Sequence, residues 1–271
     1  MGTKHDVLTR GELDAFRLTP VFLQAIENFV ASREPGIAPQ RINILDWGCG
    51  RGRAVAKLRE AGFNAFGVDT DEMVMRNGYD LLDHLGFDPH ELLLGPDALA
   101  RYPDAYFHCI ISEQVLEHVM DITATFAEMW RLSVRGGIGL HCFPGAGMLM
   151  EEHLNMPLIH WLPKNLARKP AIALCMASGF GPRQQWPETE GQGFWATNDI
   201  YYRYLDKKTY YRDIMQITAI AEDAGFQARY QLLGTRQSWQ GFWLPAFIRR
   251  NGFPGATMFL RLSKSADSPA N

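Results

Sequence analysis

The residues best suited to chemistry in this chain are a run of one carboxylate and three glycines and, a hundred positions later, a pair of histidines. Asp46-x-Gly48-x-Gly50-x-Gly52 follows an apolar run at 42–45 and precedes a stretch of helical character at 53–61. Glycines in such a turn let the backbone pass close to a ligand, and the free N–H groups of the next helix favour an anionic end. Asp69 stands 23 positions after Asp46, at the end of a second strand-like run at 63–68. A carboxylate there can accept both hydroxyls of a ribose. A dinucleotide fingerprint, G-x-G-x-x-G, would need glycine at position 53, where Arg53 stands, so the run departs from the nicotinamide pattern. His153 and His160, in EEHLNMPLIHW, carry imidazoles able to take a proton near neutral pH. A spacing of seven puts them on one face of a helix, unless Pro157 between them breaks it.

The elements that must position these groups follow from periodicity. Residues 13–33 read as helical, Pro20 marking either two helices or a first-turn proline with Thr19 as the cap, and Glu34-Pro35-Gly36 closing the segment. Strand and helix then alternate. After the glycine turn, helix 53–61 stops at Gly62 and strand 63–68 follows. Helix 73–85, a short strand 91–94 and strand 107–112 come next. Helix 122–133, a turn at Arg135-Gly136-Gly137 and strand 138–143 complete the series. This alternation predicts an α/β fold: a Rossmann-like, doubly wound, seven-stranded sheet with helices on both faces and ligands at the strand ends. The rhythm stops after Phe143. Residues 144–205 are rich in proline, glycine and aromatics and have no clear period, as expected of a lid or substrate subdomain inserted after the fifth strand. Helix 209–224, Gly225-Phe226, a strand through 233, an irregular stretch, a last strand within 257–262 and a loose tail finish the chain. The expected organisation is a helical cap over 1–40, a core over 41–143 and 206–264, and the aromatic-rich insertion over 144–205.

Composition narrows the classes. The chain has 271 residues, 46% hydrophobic and 21% charged, enough for one large core, and its net charge of −3 gives no footprint for non-specific nucleic-acid binding. Four scattered cysteines without a C-x-x-C pair argue against a structural zinc or a disulfide framework and suit a reducing compartment. The polar N-terminus lacks the apolar core of a signal peptide, and no apolar run reaches the ~18 residues of a membrane span. A cytoplasmic protein without stable membrane insertion is expected, its oligomeric state left open.

With these motifs assembled, the chain resembles the class I S-adenosylmethionine-dependent methyltransferases. ILDWGCGRG is similar to their first motif and GVDTD to their second. LLLGPDALARYPDAYFHCIIS resembles the third and fourth, and SEQVLEHVMD and RLSVRGGIGLHCF the next helix and fifth strand. The resemblance covers 42–143 in order. It implies S-adenosyl-L-methionine as cofactor, leaving as S-adenosyl-L-homocysteine, held by Asp46, Gly48, Gly50, Gly52, Asp69, Thr70 and Glu113. By the same likeness Asp97 meets the adenine amino group and Ala98 the ring edge. His108 stands where the family often has Asp. SEQVLEHV is nearest the ubiquinone-biosynthesis O-methyltransferases, whose Glu-x-x-Glu-His trio is implicated in metal binding. Here Gln114 replaces the first Glu while Glu117 and His118 remain. A lost charged oxygen ligand weakens a hard-cation site, so no metal is expected.

Methyl transfer from a sulfonium needs an aligned nucleophile, and a base if that nucleophile is a hydroxyl. The strand ends that surround the methyl group make His153, His160 and His118 the candidate bases. His153 comes first because Glu151 or Glu152 beside it can orient it. Trp161, Trp186, Phe194, Trp195, Tyr201, Tyr202 and Tyr204 form either a substrate wall or the core of the insertion. Arg168, Lys169, Arg183 and Arg203 among them either receive a phosphate or carboxylate or serve as solvated surface. The expected activity is O-methylation of a small polar metabolite or a glycan- or lipid-linked intermediate. The competing readings are N- or C-methylation of a small molecule and a non-catalytic cofactor-binding scaffold. Nucleic-acid methylation is disfavoured by the charge balance and by Ser112-Glu113-Gln114-Val115 in place of an Asn/Asp-Pro-Pro-Tyr/Phe motif.

Overall fold

The computed structural model describes residues 7–32, 37–233 and 257–265. Its main sheet contains β1 (Asn43–Trp47), β2 (Asn64–Val68), β3 (Leu93–Leu94), β4 (Phe107–Glu113), β5 (Ser133–Pro144), β8 (Gln227–Leu233) and β9 (Thr257–Ser263), and a separate hairpin pairs β6 (Met150–Glu151) with β7 (Met156–Pro157). The seven strands lie in the order β3-β2-β1-β4-β5-β9-β8. The first five run parallel, and β9 lies antiparallel between β5 and β8. This is the doubly wound α/β sheet expected of the alternation. The order reverses direction at β1 and β4, so the loops after these two strands open the crevice in which ligands bind such sheets.

Both sheet faces are covered, and successive residues divide between them as the period-2 pleat requires. Ile44 packs in one cluster and Leu45 in the other; Cys109 and Ile111 oppose Ile110. The first face is closed by α2 (Pro20–Ser32) and α3 (Arg53–Glu60) through Phe22, Ile26, Phe29, Val55 and Leu58. The second is closed by α7 (Ile122–Leu132) and α10 (Ile214–Asp223) through Phe126, Met129, Ile214 and Ile217. Before α2 lies α1 (Arg10–Ala15), capped reciprocally by Thr9 and Glu12. Pro20 opens α2 as a first-turn proline, but the Thr19 hydroxyl donates to Glu113 Oε1.

Several expected elements change on folding. The single helix expected over 73–85 is two short ones, α4 (Glu72–Arg76) and α5 (Tyr79–His84), broken at Gly78 because a Cβ there would sit 2.0 Å from the Arg51 carbonyl oxygen. The strand expected at 91–94 shrinks to two residues behind α6 (Pro89–Leu92), whose cap Asp88 accepts from the His90 N–H. The turn at Arg135-Gly136-Gly137 lies inside β5 as an irregularity. Phe107 pairs with Ser133 but Cys109 with Ile138. The helix expected from 209 starts only at Ile214, because Tyr210 N–H donates to the Glu117 carbonyl and Ala146 N–H to that of Arg212, holding 210–212 extended across the site. Residues 144–205 are not aperiodic throughout: they contain the hairpin, α8 (Arg168–Ala177) and most of α9 (Phe194–Lys207), around a third cluster of Leu154, Met156, Ile159, Ile172, Tyr201 and Leu205. The expectations for Glu34-Pro35-Gly36, the irregular stretch at 234–256 and the tail from 266 lie outside the described residues. Among those described, no helix is long and apolar enough to cross a membrane.

Candidate active site

The glycine turn is held by backbone bonds. Gly48 and Cys49 N–H groups both donate to the Val68 carbonyl, and Gly50 N–H donates to Asp69 Oδ2 at 2.8 Å. Gly48 requires glycine twice over: its φ is 80°, and a Cβ would lie 2.4 Å from Val115. Gly52, at φ 75°, precedes α3, where a Cβ would press on Leu93. Asp69 Oδ1 accepts from Asp71 N–H, so each of its oxygens keeps a lone pair for a further donor.

Two cavities open on either side of this turn. The larger, about 840 Å³, is lined by Asp69, Thr70, Pro96, Asp97, Leu99 and His118 among others. The smaller, about 330 Å³, is lined by Asp46, Glu113 and Arg53, and by Phe16, Arg17 and Leu18 from the segment between α1 and α2. Gly48 and Gln114 line both. The expected cofactor residues therefore divide: Asp69, Thr70 and Asp97 face the large cavity, Asp46 and Glu113 the small one, and Gly48 both. Gly50 and Gly52 shape the turn without lining either. Ala98 lines neither, and Leu99 and Ala100 form that wall of the large cavity. Asp46 is buried, and desolvation, reinforced by Glu113 and Asp69, pushes its carboxyl up to about 7. Arg17 and its neighbours were missed from sequence because nothing in their type or spacing ties them to the glycine turn.

Beyond the large cavity the insertion brings two of the three candidate bases together. The His118 and His153 rings lie 4.9 Å apart, although 35 positions separate them. His118 Nδ1 is 2.6 Å from the Lys208 carbonyl oxygen, which only accepts, so Nδ1 carries the proton and Nε2 the lone pair. His153 Nδ1 lies 3.0 Å from Glu151 Oε1 and 3.0 Å from the Tyr211 hydroxyl, which itself donates to Glu151. Glu151 is fully buried and also accepts from Leu154 N–H at 2.5 Å. Burial pulls the His153 imidazolium down, but the hydrogen bond and charge of Glu151, with Glu117 and Glu152, outweigh it and leave it above the ordinary histidine value. His118, without such a partner, is lowered by burial. His160 stands apart from the pair, its ring 5.1 Å from that of Tyr211, and it lines neither cavity. The expected helix joining it to His153 is the β6–β7 hairpin instead, with Met150 opposite Pro157. Tyr211, sixty residues from Glu151, had no sequence signal.

Glu117 completes this corner. Its side chain is buried, neither oxygen has a hydrogen-bond partner among the described residues, and Oε1 is 3.8 Å from His118 Nε2. Burial pushes its carboxyl up to about 8. Glu117, His118 and His153 each bring one ligand atom within 4.8 Å of the others, a donor set of imidazole and carboxylate that a transition metal would accept. The sequence pointed away from a metal because Gln114 replaces an acid, yet His153 brings a third potential ligand from beyond the fifth strand. His108, by contrast, is structural: its Nδ1 accepts from Asn43 N–H at the start of β1.

Comparison with known proteins bears on the family and the fold. A family model described as a methyltransferase domain matches residues 22–231. No curated protein matches the sequence. The fold is similar to that of an S-adenosylmethionine-dependent methyltransferase from Mesorhizobium loti, at 14% identity and a TM-score of 0.50 over 88% of this chain and 96% of that one. A SAM-dependent methyltransferase from Archaeoglobus fulgidus is 15% identical, with a TM-score of 0.50 over 93% and 97%. Phosphoethanolamine N-methyltransferase 2 of Haemonchus contortus, solved with S-adenosyl-L-methionine, is 14% identical, with a TM-score of 0.51 over 90% of this chain and 52% of that one.

Proposed function

The chain belongs to the methyltransferase-domain family and is an S-adenosylmethionine-dependent methyltransferase; from that premise we propose that it methylates an oxygen of a small polar metabolite or a glycan- or lipid-linked intermediate, with His153 taking the proton. The residues around the two cavities fit the cofactor. Asp69 and Asp97 offer acceptors for ribose hydroxyls and an adenine amino group. Asp46 and Glu113 would hold an ammonium, and Arg17 and Arg53, which line the same cavity, would meet a carboxylate. Gly48 and Gln114, which line both cavities, would hold the part of the cofactor that joins the two halves. When bound, S-adenosyl-L-methionine would supply an electrophilic methyl carbon: a C–O bond to the acceptor would form as the C–S bond breaks, with neutral S-adenosyl-L-homocysteine as the leaving group.

The observation that carries the reading is the buried Glu151 beneath His153, beside the cofactor cavity. Glu151 fixes the proton on His153 Nδ1, which leaves Nε2 to accept the hydroxyl proton, and it stabilises the imidazolium that results. Tyr211 holds Glu151 in place from the other side.

The test uses methyl-labelled S-adenosylmethionine and separate polar, lipid and nucleic-acid extracts of the native cells. Label should enter the polar or lipid pool. His153→Ala should lower that incorporation by roughly 10²–10⁴-fold while leaving S-adenosylhomocysteine affinity intact. Unchanged incorporation removes His153 from the mechanism, and label in the nucleic-acid pool alone removes the acceptor class.

A further inference from the structure

We propose that a third cavity, on the far side of the histidine pair, is the acceptor's subsite and selects an acceptor whose reactive part is joined to an anionic group, a phosphate or a carboxylate. The proposal rests on the methyltransferase reading and adds the substrate's charge to it. This cavity measures about 600 Å³ and is lined by His153 at one side. The His153 ring meets edge-on that of His118, which lines the cofactor cavity, so the two spaces abut at the proposed proton acceptor.

The walls have a definite character. Helix α9 contributes Ile200, Arg203, Tyr204 and Lys207, at positions i, i+3, i+4 and i+7, which place one face of the helix on the cavity. The adjoining face, Tyr201 and Leu205, goes to the core of the insertion, on which Ile200 and Tyr204 also pack. Tyr204 and Trp186 form a flat apolar corner, their rings 4.7 Å apart. Lys208 adds a third cation, and Glu188 is the acid among the lining residues. Lys207 is matched by Asp206 at 3.0 Å, but Arg203 and Lys208 have no carboxylate partner among the described ion pairs.

Two neighbouring cations of the insertion are engaged elsewhere. Arg168 is buried and donates to the carbonyls of Leu162 and Leu205, and Lys169 is paired with Asp199 at 2.6 Å. In a chain of net charge −3, two unmatched cations on one cavity wall are a local reversal of sign. A guanidinium at this rim presents the forked donors that phosphate and carboxylate accept. An acceptor that lays its apolar part on Trp186 and Tyr204 and its anion on Arg203 and Lys208 leaves its remaining end at His153.

The test uses the full chain saturated with S-adenosylhomocysteine, then titrated calorimetrically with phenyl phosphate, benzoate, phenol and benzyltrimethylammonium. At least one anion should bind more tightly than phenol and the cation, and its affinity should fall as salt rises. Phenyl phosphate ahead of benzoate assigns a phosphate, and the reverse order a carboxylate. The double variant Arg203→Gln/Lys208→Gln, both side chains at the surface, should lose the anion by tenfold or more with S-adenosylhomocysteine affinity and Tm unchanged. Equal binding of phenol and both anions, or full retention by the double variant, overturns the subsite while leaving the cofactor reading standing. Failure of the wild-type chain to bind S-adenosylhomocysteine overturns both.

Discussion

At the scale of single residues, the site depends on two histidines made unequal by what stands behind them. Glu151 supports His153 with a buried charge, whereas His118 rests on a neutral carbonyl. In chelator-treated protein, histidine NMR should find His153 titrating above about 6.5 and His118 below it. Removing the charge with Glu151→Gln should bring His153 down. The sign carries through to catalysis. A base works in its unprotonated form, so methyl transfer to a hydroxyl should rise as pH passes the raised His153 value, and Glu151→Gln should move that rise to lower pH while lowering its plateau. An identical profile in the variant would remove Glu151 from its orienting role. Glu151 was legible in the sequence because it is two residues from His153. Its second partner, Tyr211, and the approach of His118 to His153 were not, since both depend on how the insertion folds back on the sheet.

At the scale of elements, strands β1, β2, β4 and β5 and helices α3 and α7 were legible, because their apolar periodicity is what the two-sided core demands. The breaks were not. Gly78 reads as a tolerable glycine within a helix, yet it is where α4 and α5 part so that the Arg51 carbonyl can pass. Gly86 ends α5 at φ 80° with nothing within 4 Å of a would-be Cβ. The two glycines should therefore respond differently to alanine. Gly86→Ala meets only backbone strain and should cost about 1–2 kcal/mol, with S-adenosylhomocysteine affinity unchanged. Gly78→Ala forces the glycine turn itself to shift; overpacking of this kind costs about 1–3 kcal/mol or more, and here affinity should fall as well. Denaturant titration with calorimetry on both variants separates the cases, and equal affinity in the two would show that Gly78 does not support the turn. The insertion was least legible for a related reason: its hairpin, α8 and α9 bury a core of only a few side chains, so short apolar runs carry too little period to be read.

At the scale of the whole molecule, the ligand site leaves a mark on the pH dependence of stability. Glu117 and Asp46 are buried carboxyls raised to about 8 and about 7 from ordinary values of 4.5 and 3.8. A carboxyl whose folded value lies above its unfolded one binds its proton more tightly in the folded state, so stability grows as pH falls through the folded value and stops growing below the unfolded one. His141, buried against Ser112, is lowered to about 3 by desolvation, and His118 and His160 are lowered too. These three take protons first in the unfolded chain, so stability falls as pH drops below 6.5, their ordinary value. Below that point the lowered histidines oppose the two raised carboxyls. The raised His153 adds stability only as pH falls through its own folded value toward 6.5. The chelated, ligand-free protein should therefore lose stability as pH rises through the folded values of Asp46 and Glu117, about 7 and about 8, and Glu117→Gln should flatten that alkaline limb. Cofactor binding reverses that limb in part. An ammonium seated on Asp46 requires the carboxylate, so S-adenosylmethionine affinity should rise with pH up to about 7, then level off, and Asp46→Asn should abolish the rise. Thermal scans from acid to alkaline pH, with and without S-adenosylhomocysteine, read both effects. A ligand-free Tm that climbs steadily to the alkaline end would mean that Glu117 and Asp46 are already ionised and matched, and Asp46 would lose its place as the cofactor's counter-charge.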